Sequence, residues 1–569
     1  MAGQRPGRPR SGCASSRSRC RTRGRWPSPW LLRPVPRPPI RIADVRLVTA
    51  AEMRSIEIAA EAGGIDRSIL LVQAGTAIAD RLAALHGRDR TATVLVGKGN
   101  NGGDALVAAR RLTSAYGWDM TIGVASSRAP DGHLDALQSP DLASRVRIKR
   151  IGAHAGVDAM DAIDQALSSS AVVVDGLLGI GATGPLRGDV EAILARCAAA
   201  SRTPGQAWIA IDIASGVDAD TGKAALGAFR ATRTLSTGPA KPGCFVGEGA
   251  TLAGYVDVLD IGLPDLAWTR HEPRGVPDDG TIRRVGGREA AAILPARPDH
   301  SYKGSFGRVL VVGGCGLYPG APALSALGAI HGGAGVVTVA RPGRATDASW
   351  PPEVVSAPMA SDGTSFAISD VDRVVEVATH MRALVVGPGL GSEGSTREAV
   401  RTLMAALPFA IPLVVDADGL NALVGTMDGR NAPWVVTPHA AEMARLTGLS
   451  IEAVLRDPIG VAREAARRWG VVVVLKGAPT VVASPGLSVA VGAHTNAALA
   501  TAGSGDVLAG LIGALLAQGA SPWHGAVAGV TVHAVAAELW RRDHGSAGAR
   551  AADLAARLPD ARRLVTLMA

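Results

Sequence analysis

With 569 residues, the chain is long enough to fold around more than one hydrophobic core. Its hydrophobic content is 47%, but no uninterrupted apolar run has the length of a membrane span, so no membrane partner is expected. The net charge of +9 is concentrated at one end: residues 1–43 hold 11 arginines and no acidic residue, leaving the rest at −2, and no nucleic-acid partner is expected.

Those first residues also carry eight prolines and no hydrophobic period, which predicts a disordered Arg/Pro-rich extension over 1–43. The prolines oppose the amphipathic helix of a transit peptide, and no apolar stretch suggests secretion. A misassigned start or a harmless tail is the expectation. Five scattered cysteines without metal spacing predict a reducing, cytoplasmic setting and no structural disulfides. Folding should begin near Asp44, where Thr49-Ala50-Ala51-Glu52 reads as a capping box opening a helix through Met53, Ile56 and Ala60. A second helix should run from about Arg67 to His86.

Thr93-Val94-Leu95-Val96 is apolar on both faces and predicts a buried parallel strand. It enters the glycine-rich turn Gly97-Lys98-Gly99-Asn100-Asn101-Gly102-Gly103-Asp104, and a helix follows: the start of a doubly wound unit with ligands at the strand's carboxyl end. Two further strands, at 171–174 and 208–211, end in Asp175 and Asp212, each followed by a glycine loop. In a parallel sheet these ends lie side by side, so Asn101, Asp175 and Ser215 could converge. Such oxygens suit a hard cation of low charge, with no His or Cys for zinc. Asp212 could instead meet a substrate proton or hydroxyl.

Residues 97–104, Asp175–Gly181 and Asp212–Asp218 together resemble the NAD(P)H-hydrate epimerase family over about 45–265. The resemblance implies a Rossmann-like three-layer domain (44–270) that binds a hydrated nicotinamide nucleotide and K+. By it, Asn101, Asp175 and Ser215 would hold K+. Substrate would meet Asn100, Asn101, Gly102, Gly103 and Asp104, then Gly179, Ile180, Gly181, Ala182, Thr183, Gly184 and Pro185, and Asp212. Asp212 is the candidate acid/base; Lys241, in Gly238-Pro239-Ala240-Lys241-Pro242-Gly243, is a weaker one that could be a solvated loop lysine. Ala105 and Ala214 depart from a frequent glycine and proline without removing a functional group.

Composition changes at 268–280, where the domain boundary is expected. The second half (281–569) predicts strands from 308 onward and at 335–339, 383–386, 412–415, 434–436, 471–475 and 479–483. Near its end, Ala502-Gly503-Ser504-Gly505-Asp506 leads into the apolar helix from Val507, a cradle of backbone N–H groups suited to phosphate. Asp506 at its mouth would repel a resting phosphate, but could take a proton from a hydroxyl about to meet a phosphoryl group. Lys476-Gly477-Ala478-Pro479-Thr480 offers a cation and a hydroxyl to phosphates. Asp416 and Asp418 could be turn formers, and His439 a neighbour of a helix cap.

With Gly387–Gly391 and Thr437–Glu442, these motifs resemble the ADP/ATP-dependent NAD(P)H-hydrate dehydratases over roughly 285–560, implying a ribokinase-like α/β domain. Carried over, Ala321, Gly389, His439 and Asp506 would contact the hydrated nucleotide. Lys476, Gly477, Ala478, Pro479, Thr480 and Gly505, with the loop 496–504, would hold ADP as co-substrate. Mg2+ would bridge its phosphates and Asp506 would be the base. Ala441 stands where the family usually has glycine. The partners implied are the NADH and NADPH hydrates and ADP, and a homo-oligomer is expected. The alternative is a ribokinase-like small-molecule (vitamin alcohol) kinase with an N-terminal nucleotide-binding module, which would leave a stable phosphorylated product.

Overall fold

The capping box at Thr49 forms: its hydroxyl accepts from Glu52 N at 3.2 Å and its own N–H donates to the Glu52 carboxylate at 2.8 Å, opening the helix Ala50–Ala62. The second helix spans Arg67–His86. By length and hydropathy it could cross a membrane, yet Leu70, Ala74, Ile78 and Leu82 are buried, and Asp80 holds Arg111 of the helix Asn100–Tyr116 at 2.5 Å. The computed structural model describes residues 45–88, 90–125, 131–151, 156–264, 276–343, 350–361 and 364–568. The extension 1–43, and all of the expected boundary before 276, lie outside the described residues.

The strands of the first half are β1 (Val45–Leu47), β2 (Thr91–Val96), β3 (Asp119–Val124), β4 (Val146–Arg150), β5 (Val172–Gly176), β6 (Ala207–Ile211), β7 (Arg233–Thr237) and β8 (Tyr255–Leu259). All but β1 build a seven-stranded parallel sheet in the order β4-β3-β2-β5-β6-β7-β8. Alternate residues of one strand enter different cores: Val94 and Val96 join one, Leu95 the other, and Ile209 and Trp208 divide likewise. Both faces are therefore covered, which gives the expected three layers. The order reverses between β2 and β5, and a crevice opens at such a switch point above the carboxyl ends.

The second half contributes β9 (Ile282–Val285), β10 (Arg308–Val312), β11 (Val336–Arg341), β12 (Val355–Pro358), β13 (Ala383–Val386), β14 (Leu413–Val415), β15 (Trp434–Val436), β16 (Val472–Leu475), β17 (Val481–Ala483) and β18 (Val489–Gly492). With β1 they form an eleven-stranded sheet, β1-β9-β18-β17-β16-β15-β14-β13-β10-β11-β12, parallel from β16 to β12 and reversing at the β10/β13 step. The fold is α/β in both halves. The helices Ala321–His331 and Ser504–Ala517 cross closely: a Cβ on Gly510 would lie 1.9 Å from Ser325 O, and one on Gly328 2.2 Å from Val507 O. Glycine alone permits that approach.

The two halves are continuous in their packing. β1 pairs antiparallel with β9, placing Val45 opposite Arg284. Just beyond it, Val48 N donates to Ala240 O at 3.0 Å. Leu47, Ala240 and Val246 of the first half share one core with Ile282, Val436 and Val491 of the second. The chain folds its first strand into the sheet built mainly by its last 290 residues.

Candidate active sites

At the first switch point the turn after β2 becomes the start of the helix Asn100–Tyr116, with Asn101, Gly102, Gly103 and Asp104 buried and Asn100 exposed. Asn101 Nδ2 donates to Leu178 O at 2.7 Å and Ile211 O at 3.0 Å, so one side chain ties the loops after β5 and β6 together. Asp175, fully buried at the end of β5, accepts from Ser215 Oγ at 2.6 Å and Ser215 N at 2.8 Å. Ser215 Oγ in turn accepts from Leu178 N at 2.9 Å. Asn101, Asp175 and Ser215 therefore meet around Leu178. Burial pushes the Asp175 carboxyl up to about 6, against the Ser215 and Leu177 hydrogen bonds that favour its charge. The Gly179–Pro185 loop follows: a Cβ on Gly179 would lie 3.5 Å from Asn101, Ile180 and Ala182 are half-buried, and Gly181, Thr183, Gly184 and Pro185 are exposed.

Next to that cluster is a buried ion pair. Asp212 follows β6 at φ 63°, a left-handed conformation that costs a non-glycine residue about 1–3 kcal/mol and points to a functional constraint. Its carboxylate accepts from Lys241 Nζ at 2.5 Å and from Thr237 N at 3.2 Å. Lys241 is 0% exposed, which overturns its reading as a solvated loop lysine. Its neighbours Pro242, Gly243 and Cys244 form a buried turn, and the Cys244 thiol is pushed up to about 12 by burial and by Asp212. Asp104 shares the site: burial, then the charges of Asp212 and Glu57, hold its carboxyl well above the usual range, with Lys241 opposing. Glu57, on the first helix, is raised by burial and by Asp212 as well. Asp212, Lys241 and Asp104, two carboxyls and an amine in one crevice, can take and return protons. Sequence reasoning passed over Glu57, an ordinary exposed-looking helix position.

The second site is assembled from the carboxyl ends of β13–β16 and one helix N-terminus. Gly503 adopts φ 84° and caps Ser504–Ala517, which sets Asp506 in the first turn. Ser325 Oγ holds the Asp506 carbonyl at 2.8 Å. Half-buried, the Asp506 carboxyl is pushed up to about 7 by burial first, then by Asp416, with Asp418 and Glu442 adding and Lys476 opposing. Lys476 Nζ binds Asp416 at 2.7 Å and stands 3.8 Å from Glu442. Burial works against its charge, but Asp416, Glu442 and Asp506 outweigh it and hold its pKa up. A Cβ on Gly505 would lie 3.3 Å from Lys476 Nζ and 3.6 Å from Asp416 Oδ2, which brings the cradle, the cation and the acid within reach of one another.

Asp416 is 1% exposed and ion-paired rather than a simple turn former. Asp418 accepts from Gly391 N at 2.9 Å, steering the loop after β13. In that loop Gly389 adjoins Ala321, whose Cβ would be 2.9 Å from a Cβ on Gly389. His439 is itself the cap of the helix Ala440–Thr447, Nδ1 accepting from Ala441 N at 3.1 Å and Glu442 N at 3.3 Å, and half of its side chain is exposed. Gly477 and Ala478 are exposed, Pro479 is buried and Thr480 half-buried beside them. Asp416 and Glu442, which act on the charge of Lys476, were not assigned from sequence; a lysine just past one strand and an acid just past the next strand but one of the same parallel sheet were the available signal. Among the described residues no cluster of three His, Cys, Asp or Glu side chains is arranged to hold a metal.

Comparison with known proteins matches each half. Residues 67–243 match the family described as YjeF-related protein N-terminus, and residues 309–560 the family described as NAD(P)H-hydrate dehydratase. The bifunctional NAD(P)H-hydrate repair enzyme Nnr of Salinibacter ruber is 35% identical, the match covering 90% of this chain and 95% of that protein. The enzyme of the same name from Gloeobacter violaceus is 37% identical, covering 90% and 96%. A crystal structure of the ADP/ATP-dependent NAD(P)H-hydrate dehydratase of Bacillus subtilis, grown with ATP and Mg2+, is 29% identical with a TM-score of 0.43, covering 49% of this chain and 97% of that one.

Proposed function

The chain belongs to the bifunctional NAD(P)H-hydrate repair enzymes, as its relatives over nine-tenths of its length show, and from that premise we propose how its residues divide the work. It is an NAD(P)H-hydrate epimerase and dehydratase in one polypeptide, and the small-molecule kinase alternative is set aside by the same relatives.

In the first half, Asp212 and Lys241 act as the acid/base pair on the C6 carbinol of the hydrated ring. Taking the hydroxyl proton and protonating the ring nitrogen opens the C6–N bond to an aldehyde, and closure on the other face inverts C6. The buried ion pair supports this, since it sets a carboxyl and an amine in direct contact away from bulk solvent. The loops 100–104 and 179–185 would carry the rest of the nucleotide. Asn101, Asp175 and Ser215 would hold K+: a buried carboxylate with an amide oxygen, a hydroxyl and backbone carbonyls beside it is a donor set for a large monovalent cation. The ion would supply the positive charge that the buried Asp175 lacks.

In the second half, Asp506 takes the proton of the C6 hydroxyl as that oxygen attacks the terminal phosphoryl group of ADP. Ala321, Gly389 and His439 position the ring, while Lys476–Thr480, Gly505 and the 496–504 loop hold the nucleotide. The amides of Gly503–Gly505 face the charge developing on the transferred group. Phosphate then leaves from C6 with the push of the ring nitrogen, and the departing phosphate takes a proton from C5 as the C5–C6 double bond forms, giving NAD(P)H, AMP and phosphate. Mg2+ would ride on the nucleotide phosphates and spread their charge. A single observation carries this assignment: a carboxyl pushed up to about 7 stands at the mouth of a helix N-terminus, next to a paired lysine.

The test is an incubation of the whole protein with racemic hydrate and ADP. Recovery of more than half as NAD(P)H, with AMP and phosphate, is expected. A halt at half removes the epimerase assignment, and accumulation of a stable phosphorylated nucleotide removes the dehydratase assignment.

A further inference from the structure

The turn that carries Lys241 is held on one side by the segment that follows β1 and on the other by β9 of the second half. On its amino side, Ala240 O accepts from Val48 N at 3.0 Å, directly after β1, whose partner is β9. On its carboxyl side, the Arg284 guanidinium of β9 lies 4.8 Å from the centre of the Phe245 ring. Phe245 N closes the turn on Pro242 O at 2.9 Å, and Cys244 N on Lys241 O at 3.1 Å. A shift of Phe245 is therefore passed to Lys241 through one short hydrogen-bonded turn.

Arg284 has a second attachment. Its guanidinium donates to Ala493 O at 3.0 Å, and Ala493 N donates to Val285 O at 2.9 Å, so β9 grips the point where the chain leaves β18. That exit leads through Asn496, which caps the short turn Ala497–Leu499, to Ser504 and the Asp506 helix. Arg284 thus touches the proton-transfer turn of one site and the entrance of the nucleotide loop of the other.

We propose that Arg284 is a positioning residue that couples the two sites, so that an adenine nucleotide bound by the 496–504 loop steadies the Lys241 turn and speeds epimerisation. The inference rests on the assignment of that loop to the nucleotide and of Lys241 to epimerisation. Its physical content is differential: a loop fixed by nucleotide fixes Ala493, and a fixed Ala493 holds the guanidinium over Phe245.

The experiment uses the full chain and the pure R hydrate, with C6 inversion followed by chromatography. The nucleotide is α,β-methylene-ADP, whose terminal phosphoryl group cannot be transferred. Saturating nucleotide is expected to raise the epimerisation kcat/KM by about fivefold in the parent. The increase should vanish in Arg284→Met and in Phe245→Leu, and return in part in Arg284→Lys, which keeps a cation over the ring. A purely structural role would slow both states equally and leave the ratio intact. Equal response in parent and both variants, or a parent indifferent to nucleotide while it still inverts C6, overturns the coupling alone. A parent that inverts nothing overturns the epimerase assignment and the coupling with it.

Discussion

Neutralising Asp416 tests the electrostatics of the dehydration site. Asp506 is raised from 3.8 to about 7, with burial the largest cause and Asp416 the second. A base of that strength is about one-tenth ionised at pH 6 and about half ionised at pH 7, so dehydration should fall away on the acid side of neutrality. In Asp416→Asn the opposing charge is gone and Lys476, freed of its 2.7 Å partner, is left with Glu442 at 3.8 Å and with Asp506 as the acids that hold its charge. Both changes favour the ionised form. Because Asp416 is the second cause and not the first, the limb should move down by about one pH unit. The rate at pH 6, relative to the plateau, should rise from about a tenth to about a half, while the plateau drops by about threefold because a weaker base accepts the proton. The assay is kcat/KM for the S hydrate from pH 5.5 to 9 at saturating ADP, read by NAD(P)H absorbance. A limb that stays in place, or moves toward alkaline pH, refutes the reasoning that Asp506 is the base and that Asp416 raises it.

Two further outcomes follow. Lys241→Met should cut epimerisation by about 10²–10³-fold and leave Asp212 as an unpaired buried carboxylate, destabilising the fold by about 3–5 kcal/mol; racemic hydrate should then stop at half recovery at 25 °C, and full recovery at the parent rate would contradict the assignment. His533, buried with its Nε2 unpaired, is pushed down to about 4 by burial, so the unfolded chain takes a proton below about 6.5 that the folded one refuses. Stability is lost as pH falls through that window, by on the order of 2 kcal/mol at pH 5, and His533→Leu should remove this loss. Parallel thermal melts at pH 7 and pH 5 would show the variant falling less than the parent; identical falls would refute it.

Much of the α/β core was readable because its signals are local. Apolar runs such as Thr93–Val96 and Pro412–Val415, each followed by glycine or acid, mark strands buried on both faces, and the structure places β2 and β14 there. The convergence of Asn101, Asp175 and Ser215 follows from parallel strand ends lying side by side. What could not be read depends on long-range packing. Nothing within Val45–Leu47 distinguishes a strand of the near sheet from one that pairs 237 residues away with Ile282–Arg284. Lys241 illustrates the same limit: a lysine between prolines looks solvated until Asp212, 29 positions earlier, is seen to neutralise it. Asp416 and Lys476, separated by 60 positions, are likewise joined only because the ends of β14 and β16 approach each other across β15.

The pairing of β1 with β9 also constrains the order in which the molecule can be completed. Val45–Leu47 emerges early in synthesis, but its partner strand emerges far later, and β18, on the other side of β9, later still. Until then the segment waits with unpaired backbone, and the Ala240 contact that follows it waits too. A nascent chain can assemble its seven-stranded sheet early, yet the turn bearing Lys241 gains its outer support only when the last strands arrive. Competence of the first site is thereby tied to the finished synthesis of the second.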